Sequence, residues 1–92
     1  MQYEWDKEKN RQNKAKHGVS FEQAVFALKD PFRRMTYDFD HSFGDEDRWK
    51  VIGDAGGVIL FVIETELGAD ALRIISARLA NSKERREYNE NL

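Results

Sequence analysis

The feature that most limits the fold of this 92-residue chain is the run Val58-Ile59-Leu60-Phe61-Val62-Ile63, introduced by Ala55-Gly56-Gly57. A segment apolar at every position has no face to offer water, so it predicts a central strand covered on at least part of both sides. It is far too short to cross a bilayer as a helix, which takes ~20 apolar residues. The rest of the chain must supply the neighbours and the cover for that strand.

The flanking segments fit that task. Met35, Tyr37 and Phe39 alternate with Arg34, Thr36 and Asp38, the period of a half-buried strand. Trp49 and Val51 alternate likewise with Arg48 and Lys50, and Leu72–Arg78 reads as the last strand after a turn over Glu66–Asp70. Gln2–Trp5 reads as a short opening strand. Asp6 is placed to cap a helix reaching about Lys16, with His17-Gly18 as its stop. Ser20 and Gln23 form a capping box ahead of Phe21, Ala24, Val25 and Leu28, and Asp30-Pro31 ends that helix. Asn81 with Glu84 offers a second box, starting a terminal helix through Tyr88. The predicted order is β-α-α-β-β-β-β-α: an α+β domain with a mostly antiparallel sheet, one domain over residues 1–92. At this size a stability of about 5–10 kcal/mol is expected. The first helix is polar all round, so it is either solvated or set against a polar partner.

Charge narrows the partners. The net charge is −2, which on its face argues against nucleic acid. Residues 1–29 carry six Lys/Arg against four Asp/Glu, and residues 73–92 five against three, while residues 30–54 carry four against seven. Residues 55–72 carry no base against three acids. The ends are therefore basic and the middle acidic, and a basic surface forms if the ends meet. With no cysteine there is no disulfide or thiolate zinc site, and His17 and His41 make no metal-ligand pattern with nearby carboxylates. No metal or other cofactor is expected. Met1 is followed by Glu4 and Asp6 with no signal-peptide core, so a cytoplasmic protein without membrane contact is the expectation.

Catalysis requires polar groups that converge. Glu46, Arg48 and Lys50 project together if the strand begins at Glu46. Ser76 and Arg78 share one face of the last strand while Arg73 takes the other, unless a bulge intervenes or Arg78 lies past the strand end. Arginine suits phosphate because its planar fork donates two hydrogen bonds and keeps its charge when partly desolvated. Cleaving RNA needs a base for the 2′-OH, an acid for the leaving 5′-oxygen and fixed cations, and requires no metal. Glu46 and His17 are each candidates for base and for acid; Arg48, Arg73, Arg78 and Arg85 are candidate cations. Each also has a plainer reading. Glu46 and Arg48 make a surface ion pair, His17 closes a helix against its dipole, and Arg85 with Tyr88 forms a solvated helix pair. His41 reads as an ordinary loop residue, and Trp5 and Trp49 as core.

Three segments together resemble the BrnT toxin family over nearly the whole chain. They are Glu4-Trp5-Asp6 with Lys16-His17-Gly18-Val19-Ser20-Phe21; Asp45-Glu46-Asp47-Arg48-Trp49 leading to Ile52-Gly53; and Arg73-Ile74-Ile75-Ser76-Ala77-Arg78 with Glu84-Arg85-Arg86 and Tyr88. The resemblance implies a RelE-like fold and a metal-independent endoribonuclease that inhibits translation and growth. It also implies a DNA-binding, ribbon–helix–helix antitoxin of the BrnA type, which neutralises the toxin in a heterotetramer and alone holds the operator DNA. His17, Glu46, Arg48, Arg73, Arg78 and Arg85 fall on the family's polar motif positions; Lys16, Lys50 and Tyr88 stand beside them as RNA-binding support. Asp47 stands where the family more often has glutamate, and Leu79-Ala80-Asn81-Ser82 lacks a basic residue and threonine cap common there. A different class of function fits the same residues: a non-catalytic protein-binding module in a transcription-regulating complex, with the arginines as interface anchors.

Overall fold

The computed structural model describes residues 1–42, 44, 46–90 and 92. Phe43 and Asp45, the latter opening the Asp45–Trp49 motif, lie outside the described residues. Element order is β1 (Gln2–Glu4), α1 (Lys7–His17), α2 (Phe21–Leu28), β2 (Arg34–Tyr37), a 3-10 turn (Phe39–His41), β3 (Arg48–Asp54), β4 (Ile59–Glu66), β5 (Ala71–Leu79) and α3 (Ser82–Glu90). This is the expected β-α-α-β-β-β-β-α arrangement. The strands form one sheet in the order β1-β5-β4-β3-β2, antiparallel except for the parallel β1–β5 pair. Among the described residues no helix is long and apolar enough to cross a membrane.

The helix ends follow the local signals. Asp6 accepts from the Lys9 N–H, and Gly18 closes α1 at φ 71°. Both reciprocal bonds of the Ser20–Gln23 box are present. In the Asn81–Glu84 box, the Asn81 N–H donates to Glu84 and the Glu84 N–H donates to Asn81 at 2.9 and 2.8 Å.

Cross-strand register sorts the sheet into two faces. Val51, Val62 and Ala77 stand in one row, and with Leu60, Leu72 and Ile74 they pack under Val19, Phe21, Ala24, Ala27 and Leu28. Burying each of the larger side chains contributes about 1.5–3 kcal/mol. The α2 backbone lies so close that a Cβ on Gly53 would meet the Ala27 carbonyl oxygen at 2.3 Å, so only glycine fits there.

The polar first helix docks by hydrogen bonds. Beyond Arg73, no strand among the described residues pairs with β5 on its β1 side, which leaves backbone groups to be satisfied. Buried Asn13 donates to the Ala77 and Val19 carbonyls, both at 2.8 Å, and accepts from the Ala77 N–H at 3.2 Å. Asn10 accepts from the Phe21 N–H at 2.8 Å and donates to Glu22. The polar partner of α1 is thus the open edge of β5 and the start of α2.

Two boundaries and one burial differ from the sequence reading. β2 stops at Tyr37, and Phe39 sits in the 3-10 turn, packed edge-on against Tyr37. Met35 stays 40% exposed because α2 packs chiefly on β3, β4 and β5, leaving edge strand β2 outside its footprint. β4 runs on through Glu64 and Thr65, which are buried despite their polarity.

Candidate active site

The face of the sheet away from α1 and α2 holds most of the predicted site residues. Opposite β4, the β5 register jumps: Ile63 pairs with Ser76 but Glu64 pairs with Ile74, leaving Ile75 as an extra residue. This bulge restores the phase between Arg73 and Arg78. Arg73 pairs with Thr65 and Arg78 with Phe61, and Thr65, Ile63 and Phe61 alternate onto one side of β4. Three rows result. Arg73, Thr65 and Arg48 form the first; Ser76, Ile63 and Lys50 the second; Arg78, Phe61 and Ile52 the third. Arg48 and Arg73 stand two strands apart, a backbone separation of about 10 Å at ~4.8 Å per strand.

α3 folds over the third row. Ile52 is buried, and the Arg34 guanidinium donates to the Glu87 carbonyl. Arg78 grips Glu84 with two bonds of 2.8 and 2.9 Å, with its guanidinium 4.2 Å from the Phe61 ring centroid. Burial works to raise the Glu84 carboxyl, but the bonds from Arg78 and the Asn81 N–H outweigh it and hold it below the usual range. The first two rows remain open. Beside them lies a cavity of about 340 Å³ lined by Asp38, His41, Arg48, Lys50, Ile63 and Ser76, among others.

Arg48, Arg73 and Arg78 each carry an acidic partner. Arg48 donates to Glu46 at 3.3 Å and Arg73 to Glu4 at 2.9 Å, both near the surface. Such exposed pairs are worth about 0–1 kcal/mol, little enough for a phosphate to displace the carboxylate. Arg78 differs, since its bidentate, part-buried pair anchors the N-terminus of α3. Lys50 makes no ion pair among the described residues. The acidic net charge therefore coexists with a cationic face on which exposed carboxylates cover Arg48 and Arg73.

One group that the sequence reading took for an ordinary loop residue also lines this cavity. His41 Nδ1 lies 3.1 and 3.0 Å from the two oxygens of buried Asp38. With Nδ1–H donating to the carboxylate, Nε2 is free to take or give a proton beside the Arg48–Lys50 cavity. The available signal was the spacing Asp38-x-x-His41 in a segment that also carries Ser42, whose hydroxyl ties Asp38 O to the Arg48 N–H at 2.7 and 3.0 Å.

Other predicted residues go elsewhere. His17 ends α1 and does not line this cavity, and Lys16 is exposed on the same helix. Arg85 donates to Ala80 O and Ser82 Oγ, tethering the start of α3. Tyr88 is buried and donates its hydroxyl to Asp30, so it holds α3 against the body rather than facing a ligand. Burial and the Asp30 carboxylate push its hydroxyl up to about 12. Burial works to raise the Asp30 carboxyl, yet bonds from Tyr88 and the Asp54 and Phe32 N–H groups bring it below its ordinary value. The Asp47 carboxylate accepts from the Tyr37 hydroxyl at 2.7 Å, leaving Glu46 as the carboxylate beside Arg48.

A family model described as the ribonuclease toxin BrnT of type II toxin–antitoxin systems matches residues 5–84. The crystal structure of the Brucella abortus ribonuclease toxin BrnT is similar with a TM-score of 0.70 and 32% sequence identity, over 89% of this chain and 99% of that one. No curated protein sequence matches the chain.

Proposed function

From the premise that the chain belongs to the BrnT family of type II toxin–antitoxin ribonuclease toxins, we propose that its open sheet face is an endoribonuclease site. RNA lies across the first two rows, displacing Glu46 and Glu4 from Arg48 and Arg73. Those arginines and Lys50 hold the scissile phosphate and stabilise the charge it gains. The 2′-OH attacks the phosphorus, its proton passing to a base, and the 5′-oxygen leaves with a proton from an acid. The products are a cyclic phosphate and a 5′-hydroxyl. His41, oriented by Asp38, and Glu46 divide the two proton transfers; His41 takes the role that the sequence suggested for His17. Arg78 holds the frame through Glu84. No metal or cofactor takes part, since base, acid and fixed cations complete the chemistry. Residues 1–92 act as one toxin domain in the cytoplasm, inhibiting translation and growth. A BrnA-type ribbon–helix–helix antitoxin neutralises it in a heterotetramer and carries the contact with operator DNA.

The observation that carries this reading is the Ile75 bulge, because it gathers Arg73 and Arg78 onto the face of Arg48 and Lys50. The test is cleavage of RNA by the purified chain in EDTA, with product ends identified, beside growth on induction of wild type and Arg48→Ala. Intact RNA and unimpaired growth with folded wild type would sink it. The carboxylates on Arg48, Arg73 and Arg78 favour a second reading, a protein-binding module whose arginines exchange partners. Tight partner binding without cleavage would select it.

A further inference from the structure

On the helix-bearing side of the sheet, away from the arginines, lies a second cavity of about 270 Å³. Leu28, Met35, Val51 and Leu72 line it together with polar groups. Glu64 also lines it, a residue only 1% exposed, and its Oε2 is buried with no hydrogen-bond partner among the described residues. An unpaired buried carboxylate is costly, and natural folds retain one where something else completes it. The other titratable side chains around the cavity are Tyr3, Arg33 and Glu66. Arg33 makes no ion pair with Glu64 and donates instead to the Asp30 carbonyl at 3.1 Å. Desolvation, reinforced by Glu66 and opposed by Arg33, pushes Glu64 up to about 7.

We infer that this cavity is a socket for one basic side chain, lysine or arginine, projecting from the protein partner of this toxin. The partner rests on the toxin–antitoxin reading above; the chemistry of the socket rests on Glu64. The volume is below the ~300–1,000 Å³ of sites that enclose a small ligand, and it suits a single side chain. The apolar lining residues match the methylene stem of lysine or arginine, while the charged head reaches the carboxylate. At the rim, Met1 and Met35 are 68% and 40% exposed and offer apolar contact to residues flanking the inserted one. A cation in the socket supplies the missing partner and holds Glu64 ionised.

Two arms test this. Amide NMR titration at pH 8 with n-butylguanidinium, against neutral n-butylurea, reads the socket itself. Saturable shifts at Val51, Glu64 and Leu72 with the cation alone, weakened about tenfold or more in Glu64→Gln, are expected. No shifts in the wild type, or equal shifts with the urea, overturn the inference. The second arm uses the purified co-encoded antitoxin. Glu64→Gln is expected to weaken its binding about tenfold or more while RNA cleavage stays at the wild-type rate. Unchanged affinity in that variant overturns the socket. Absence of RNA cleavage by the wild type counts against the toxin reading instead and leaves the titration result standing.

Discussion

Arg73 and Arg78, five positions apart in β5, project from the same face of the sheet because Ile75 is extruded between Ile74 and Ser76. An odd separation in a regular strand would put them on opposite faces. The extra residue converts that odd spacing into an even one. It gives the face its first row, Arg73 and Arg48 on either side of Thr65, with Arg78 two rows away under α3.

Removing either open arginine is expected to reduce RNA cleavage without harming the fold. Arg48→Ala and Arg73→Ala should each lower kcat/KM by about 10–1,000-fold. Their urea midpoints should stay near wild type, because each loses only an exposed ion pair worth about 0–1 kcal/mol. Arg78→Ala should differ by losing about 1–3 kcal/mol of stability as well, since Glu84 is left part-buried without its guanidinium. Steady-state kinetics and urea denaturation on the same preparations separate the two effects.

Proton transfer is expected to depend on His41. His41→Ala should lower kcat by about 10²–10⁴-fold. Asp38→Asn should alter the pH–rate profile, because it removes the carboxylate that orients the ring. His17→Ala should stay within about twofold of wild type. A strong loss in His17→Ala with none in His41→Ala would return the role to the helix terminus.

Asn13 is expected to matter more to stability than any apolar residue of α1. Asn13→Ala deletes three hydrogen bonds to backbone and leaves buried Ala77 groups unpaired, at a cost of about 2–3 kcal/mol. Thermal unfolding should shift down by about 10–20 °C in a domain of this size. Asn13→Asp should be as damaging, since a carboxylate cannot donate to the Ala77 and Val19 carbonyls.

Glu64 makes stability depend on pH in the direction opposite to an ion-paired acid. Its folded-state value of about 7 lies above the ordinary 4.5, so between those pH values the folded chain binds more protons than the unfolded one. The contribution of Glu64 to stability should therefore fall as pH rises from about 4.5 to about 7. Glu64→Gln should be more stable than wild type by about 1–3 kcal/mol at pH 8, and the difference should vanish near pH 4. Urea titrations at pH 4, 6 and 8 check the trend; a less stable variant at pH 8 would show that the carboxylate has a partner.

Much of the scaffold was legible because its signals are local. The Ser20–Gln23 and Asn81–Glu84 boxes and the Gly18 stop are bonds between near neighbours, and each forms as its sequence predicts. Alternation placed Arg48 and Lys50 opposite Val51, and most of the run from Val58 to Ile63 lies in the middle strand of the sheet, Ile59–Glu66. Met35 was misjudged because strand period tells which residues share a face, not whether a helix covers it.

By itself the sequence determined which elements form, in what order, and which side chains carry the charge, because capping, turn chemistry and hydrophobic period act within a few residues. Tertiary structure decided where those charges meet. The Ile75 bulge depends on the pairing of β5 with β4, and the docking of α1 depends on a β5 edge that the short β1 leaves open. Tyr88 looked like surface and became an anchor because Asp30, far away in the chain, receives its hydroxyl. The Asp38-held ring of His41 came to lie beside Arg48 and Lys50 only through folding. Glu64, an acid in an ordinary strand sequence, became a buried carboxyl without a hydrogen-bond partner among the described residues only through folding.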